Sequence, residues 1–278
     1  MKTKIFLLLP LLLSIPVSPS FAELDLDQEV LIIPDTHNEK PYIWHVLKSP
    51  KDFELVMDYP GATAGKDTAY TFGINRKQGE DISDMHVFIT DDDLHAYKHV
   101  RPETAGENYK FTYNAPWAGK YRFEIVFKTP KGWVNLRKDI RIKGERRKED
   151  SEGKELDEGY GIKVKLIPKK IYSEHAGTVL YEISYQGKPL KELEKIDGID
   201  MQAAAWDEDL KEFIYAIPRQ NLGGPEVAVS FVFMRPGKHA IFAEFKHNGK
   251  LRKIDMVVDV LEELRVDPNS IENIKPSE

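Results

Sequence analysis

Met85-His86-Val87-Phe88-Ile89-Thr90-Asp91-Asp92-Asp93-Leu94-His95-Ala96-Tyr97-Lys98-His99-Val100-Arg101-Pro102 returns without a gap 116 positions later, as Met201-Gln202-Ala203-Ala204-Ala205-Trp206-Asp207-Glu208-Asp209-Leu210-Lys211-Glu212-Phe213-Ile214-Tyr215-Ala216-Ile217-Pro218. Each copy opens on an apolar run, passes through three acidic residues to a leucine, carries an aromatic three positions on, and closes on proline. Self-similarity at one fixed offset means that a single structural unit is used twice.

The flanking sequence shows what that unit is. In Tyr121-Arg122-Phe123-Glu124-Ile125-Val126-Phe127, the apolar Tyr121, Phe123, Ile125 and Phe127 alternate with Arg122 and Glu124, the period-two pattern of a strand with one buried and one wet face. His239 to Phe245 is its counterpart. The turns Pro116-Trp117-Ala118-Gly119-Lys120 and Pro236-Gly237-Lys238 introduce the two strands, glycine supplying the backbone freedom a tight turn needs. Further short strands are expected at Phe53 to Met57, Ala69 to Ile74, Met85 to Thr90, Lys110 to Tyr113 and Trp133 to Ile142. The second unit repeats them at Ile162 to Leu166, Thr178 to Tyr185, Met201 to Trp206, Val227 to Met234 and Leu251 to Val260. Short alternating runs separated by turn residues predict an all-β chain of two tandem immunoglobulin-like antiparallel β-sandwiches. Single helical turns are expected only at Lys191 to Lys195 and Leu261 to Arg265.

Composition places these units outside the cytoplasm. Lys2 and Lys4 precede the apolar stretch Ile5 to Val17, and Ser20-Phe21-Ala22 sets small residues at the two positions a signal peptidase reads. An apolar run broken by Pro10 and Pro16 is too short to span about 30 Å of hydrocarbon. The expected organisation is therefore a signal peptide at 1–22, an irregular or strand-adding arm at 23–50, sandwiches at 51–143 and 161–262, a charged linker at 144–160 and a polar tail at 263–278. The linker, almost without apolar side chains, cannot offset its own ordering entropy by burial. The absence of cysteine excludes disulfides, thiolate metal sites and a lipid-modified cysteine. With Lys2 and Lys4 removed, the net charge of −6 becomes −8, which opposes binding to nucleic acid or anionic lipid. Periplasm or cell exterior is the expected location.

Candidate chemistry centres on histidine. His86, His95 and His99 lie in the first copy, where the second holds Gln202, Lys211 and Tyr215. A chain reversal at Asp91-Asp92-Asp93 would bring His99 beside His86, and two neutral imidazoles so placed can hold copper or zinc, with Met85 or Met57 as a soft ligand for copper. The plain alternative is that these are edge histidines of a sandwich. Asp91-Asp92-Asp93 and Asp207-Glu208-Asp209 lack the closing glutamate of a calcium loop and read as turns held by their own side chains. Pro60 to Thr68 lacks the spacing of a phosphate loop. No Gly-x-Ser-x-Gly elbow, His-Glu-x-x-His helix or cysteine nucleophile is present, so no catalytic residues are assigned. Trp44, Trp117, Trp133 and Trp206 are candidates for a sugar platform, or for core and turn packing.

Met85-His86 before an apolar strand, then Asp93-Leu94, Tyr97, His99 and Pro102, resembles the pattern of YtkA-like and related extracytoplasmic β-sandwich domains, and Gly119 to Phe123 resembles the strand that follows it there. The resemblance implies copper or other heavy-metal handling. Carried over by residue, only His86 and His99 match, since Arg101 stands at the second histidine of the His-x-His-Pro turn. The leading expectation is a non-enzymatic binding or assembly protein that offers sheet edges and loops to an envelope or extracellular protein partner. A copper-handling protein using His86, His99 and Met85 is the second reading.

Overall fold

The computed structural model describes residues 43–45, 52–76, 81–148 and 159–262, which contain strands, turns and loops and no helix. A short strand, β1 (Ile43–His45), precedes the first repeat. The first repeat supplies β2 (Phe53–Asp58), β3 (Asp67–Arg76), β4 (Ser83–Asp91), β5 (Tyr97–Val100), β6 (Glu103–Ala105), β7 (Asn108–Asn114), β8 (Gly119–Thr129) and β9 (Gly132–Ile142). The second supplies β10 (Tyr160–Ile167), β11 (Ile171–Tyr172), β12 (Ala176–Tyr185), β13 (Lys188–Pro189), β14 (Met201–Asp207), β15 (Phe213–Ala216), β16 (Glu226–Val232), β17 (Gly237–His247) and β18 (Lys250–Leu261).

In the first repeat the sheet β2-β3-β7-β6 faces the sheet β5-β4-β8-β9. Lettered by chain order this is A-B-E-D against C′-C-F-G, the immunoglobulin-like arrangement. The second repeat sets β10-β12-β16 against β15-β14-β17-β18, with β11 closing parallel on the end of β18. It has no counterpart of β6 between β15 and β16. Instead β1, from ahead of the first repeat, pairs antiparallel with β15 and extends that sheet. Edge N–H and C=O groups accept an added strand in this way. The signal peptide, residues 149–158 of the linker and the tail from residue 263 lie outside the described residues.

Each sandwich has its own core. Tyr70, Phe72, Val87, Ile89, Phe123 and Phe127 lead the first, and Val179, Tyr181, Phe231, Ile241 and Phe245 the second. A third apolar cluster joins them: Phe88, Val126 and Trp133 of the first pack with Ala204, Trp206, Phe213, Tyr215 and Phe242 of the second. The outer face of β5-β4-β8-β9 therefore packs on the outer face of β15-β14-β17-β18, and the described residues lie within one compact unit.

This corrects the expectation of a wet face on β8. Glu124 and Val126 are fully buried, and Arg122 donates to the Leu210 carbonyl across the contact at 2.5 Å. The carboxylate of Glu124 is held by Asn135 at 2.6 Å and Arg137 at 3.4 Å. Burial pushes its carboxyl up, opposed chiefly by Arg137. Strand β14 is buried along its whole length, as strands covered on both sides are. The helical turn expected at Lys191 to Lys195 is also replaced. There Leu193 N–H donates to Gly223 O and Glu194 N–H to Lys246 O, so the backbone is satisfied by distant segments. Leu261, expected to open a second helical turn, ends β18, and residues 263–265 lie outside the described residues.

Candidate functional site

The acidic turns of the repeat are structural. Asp91 Oδ1 accepts from the backbone N–H of His95 at 2.7 Å and Ala96 at 2.8 Å, while Oδ2 accepts from the Trp117 indole at 2.8 Å. Asp207 does the same for Lys211 and Glu212 N–H at 2.6 and 2.8 Å, with Arg235 Nε on its second oxygen at 2.8 Å. Leu94 and Leu210 both sit at positive φ, 59° and 55°, a conformation these turns hold in place despite its cost to a side chain. Tyr121 donates to the Trp117 carbonyl at 2.9 Å, the tyrosine corner at the start of the F strand. Its counterpart His239 is buried between the Gly237 carbonyl and Glu212.

The remaining polar cluster lies between the sandwiches. His86 projects from the outer face of β4 and His99 from β5, brought alongside because Phe88 pairs with His99 in the ladder. His86 Nδ1 and His99 Nε2 are 2.9 Å apart. On its far side His99 Nδ1 meets Gln202 Nε2 at 2.5 Å and Glu244 Oε2 at 3.2 Å. Gln202 Nε2 also donates to Glu244 Oε2 at 2.9 Å. His86 Nε2 lies 3.3 Å from Asp84 Oδ1, which accepts from Arg101 Nη1 at 2.6 Å. Arg101 reaches on to Asp197 of the second repeat at 2.8 Å.

His99 Nδ1 thus faces both the Gln202 amide nitrogen and the Glu244 carboxylate, while His99 Nε2 faces His86 Nδ1 and His86 Nε2 faces Asp84. The direction of each hydrogen bond along this chain follows the tautomers of the two rings.

Of the three ligands expected for copper, the structure brings only His86 and His99 together. Met85, the soft ligand expected beside them, points to the opposite face of β4 and packs in the first core, as alternation along a strand requires. Met57 also packs against that core. Among the described residues no group of three His, Cys, Asp or Glu side chains is placed to hold an ion. Of the tryptophans, Trp117 serves the Asp91 turn, and Trp133 and Trp206 lie in the cluster between the sandwiches.

A family model described as a domain of unknown function (DUF8832) matches residues 154–262. No curated protein matches the chain. Among solved structures the chain is similar to the fibronectin(III)-like modules of Clostridium thermocellum CbhA, at 14% identity and a TM-score of 0.22, covering 75% of this chain and 95% of that one. It is similar also to the D00-D0 domain of intimin, at 11% identity, TM-score 0.25, 75% of this chain and 100% of that one. The FN1-FN3 domains of chicken CNTN1 match at 12% identity, TM-score 0.23, 73% of this chain and 66% of that one.

Sequence reasoning located His86 and His99 and missed Gln202, Glu244 and Tyr215, which complete the cluster. The available signal was the repeat itself, since Gln202 and Tyr215 occupy the histidine positions of the second copy.

A pH dependence follows. Burial holds the His86 imidazole below its ordinary 6.5, and the hydrogen bond from His86 is the main reason that Asp84 is held below its ordinary 3.8. In both cases the unfolded chain binds more protons than the folded one on acidification. The contribution of these two groups is therefore full above about pH 6.5, falls below it as unfolded His86 is protonated, and falls further near pH 4 through Asp84. Urea midpoints at pH 7.5 and 5.0 check this. His86→Gln should flatten the pH 5 to 7 decline, and an equal decline in that variant would remove His86 as its source.

Proposed function

We propose that this is an exported, non-enzymatic protein that binds or assembles with a protein partner through its sheet edges. The observation that carries the reading is β18. It pairs with β17 along its length, yet on its other side only Val260 and Leu261 have a strand partner among the described residues. Leu251 and Val257 are exposed on it, Val257 to 63%. A long edge with accessible apolar side chains is suited to strand addition, backbone hydrogen bonds giving affinity and alternate side chains specificity. Asp91, Asp207, Glu124, Glu244, His86 and His99 support the same reading, because each is committed to a turn or to the contact between sandwiches. Export rests on the signal-like residues 1–22.

The test uses the chain immobilised as bait for envelope extract, beside Leu251→Lys/Val257→Lys, since lysine guards an edge against strand addition. The wild-type chain should recover a reproducible protein, and the variant about tenfold less or lower. Equal recovery by both baits removes β18 as the docking edge; no reproducible protein on the wild-type chain removes the reading itself.

A further inference from the structure

The contact between the sandwiches is built like that of a two-fold dimer. His86 pairs with Val126 in one ladder and Gln202 with Glu244 in the other, so His86 corresponds to Gln202 and Val126 to Glu244. Phe88 pairs with His99 and Ala204 with Tyr215, so His99 corresponds to Tyr215. Across the contact the ring of His86 packs on Tyr215, centroids 5.0 Å apart, and His99 meets Gln202 at 2.5 Å. These are one contact with the roles exchanged, which is the property of an isologous interface. A face of that kind carries a hazard, because on a second chain it can meet its own kind instead of its covalent neighbour.

We propose that the histidines of the first face, set against Gln202 and Glu244 of the second, make the pairing selective for unlike faces. Two first faces would bring four imidazoles together with valine at both positions corresponding to Glu244, leaving His99 without Gln202 and Glu244 beside it. Two second faces would bury both copies of Glu244 and Gln202 opposite Tyr215, with no imidazole between them. Only the unlike pair sets an imidazole against Gln202 and Glu244. An unpaired buried polar group disfavours the wrong assembly by about tenfold or more, and specificity needs only such a difference. The histidines are confined to the first copy because selectivity requires the two faces to differ.

The test exchanges the faces in the full-length chain. His86→Gln with His99→Tyr and Val126→Glu gives the first face the side chains that the second carries at these three positions. Adding Gln202→His, Tyr215→His and Glu244→Val restores an unlike pair with its sides reversed. Light scattering and small-angle X-ray scattering report mass and shape, and circular dichroism reports that the sandwiches are folded. The half exchange should lose the compact monomer about tenfold or more, to extended or self-associated chains, and the full exchange should recover it. A half exchange that stays a compact monomer overturns the proposal, as does a full exchange that is folded yet fails to recover it. If the full exchange does not fold, His99→Tyr alone decides: it must shift the population toward open or associated chains, and unchanged compactness counts against selectivity.

Discussion

Trp206→Ala is expected to destabilise the chain by about 3 to 5 kcal/mol, the range for deleting a large aromatic from a site that cannot collapse. The indole is fully buried on the outer face of β14, with Phe213 at 4.9 Å, Phe242 at 5.9 Å and Tyr97 of the first sandwich at 6.1 Å between ring centroids. Tyr97 in turn stacks on Phe242 at 4.7 Å, so the cavity would open between two sheets rather than inside one sandwich. The loss should appear as a lower urea midpoint and as weakened near-ultraviolet dichroism while the far-ultraviolet strand spectrum persists. Trp206→Phe keeps most of the volume and should cost less than about 1.5 kcal/mol. A Trp206→Ala loss below about 1 kcal/mol would mean that this face is hydrated in solution and that the sandwiches do not pack through it.

The second large effect separates three neighbouring aspartates. Asp91→Ala is expected to cost about 3 kcal/mol or more, because His95 N–H, Ala96 N–H and the Trp117 indole all lose their acceptor. Asp92→Ala and Asp93→Ala, both exposed, should stay within about 0.5 kcal/mol. Thermal or urea unfolding of the three variants gives the comparison. Similar losses at all three positions would show that charge in the turn, and not the Asp91 bonds, is what matters.

In sequence these aspartates look alike, as do the four tryptophans. The strands of the two sandwiches were legible because alternation marks which residues share a face and the repeat identifies equivalent strands. The short β5 and β15 were not singled out, although both lie inside the quoted segment. Alternation also says nothing about what covers the second face. Arg122 and Glu124 read as solvent-facing because charged residues usually are. Here Arg122 finds a carbonyl of the second sandwich, and Glu124 finds Asn135 and Arg137. Continuous apolar runs such as Val87-Phe88-Ile89 and Ala203-Ala204-Ala205-Trp206 were the available sign of strands covered on both sides.

The histidines show the same division. Reversal at Asp91 was enough to foresee His86 and His99 side by side, since a turn between antiparallel strands returns the chain along itself. Their ligands were not foreseeable. Gln202 and Glu244 come from strands more than a hundred residues away along the chain, and the line of polar contacts from Gln202 through His99 and His86 to Asp84 is set by which sheet faces meet.

By itself the sequence determined that one β unit is used twice, which residues lie inside each sandwich, and that the histidines belong to the first copy alone, because these are matters of local period and internal comparison. The tertiary structure decided that the two units pack face to face through β4, β8, β14 and β17, and that the arm contributes a strand to the second sheet. It also made the imidazoles partners of Gln202 and of each other. The physical reason is that burial and hydrogen bonding between remote segments depend on the relative placement of whole sheets, which no local pattern encodes.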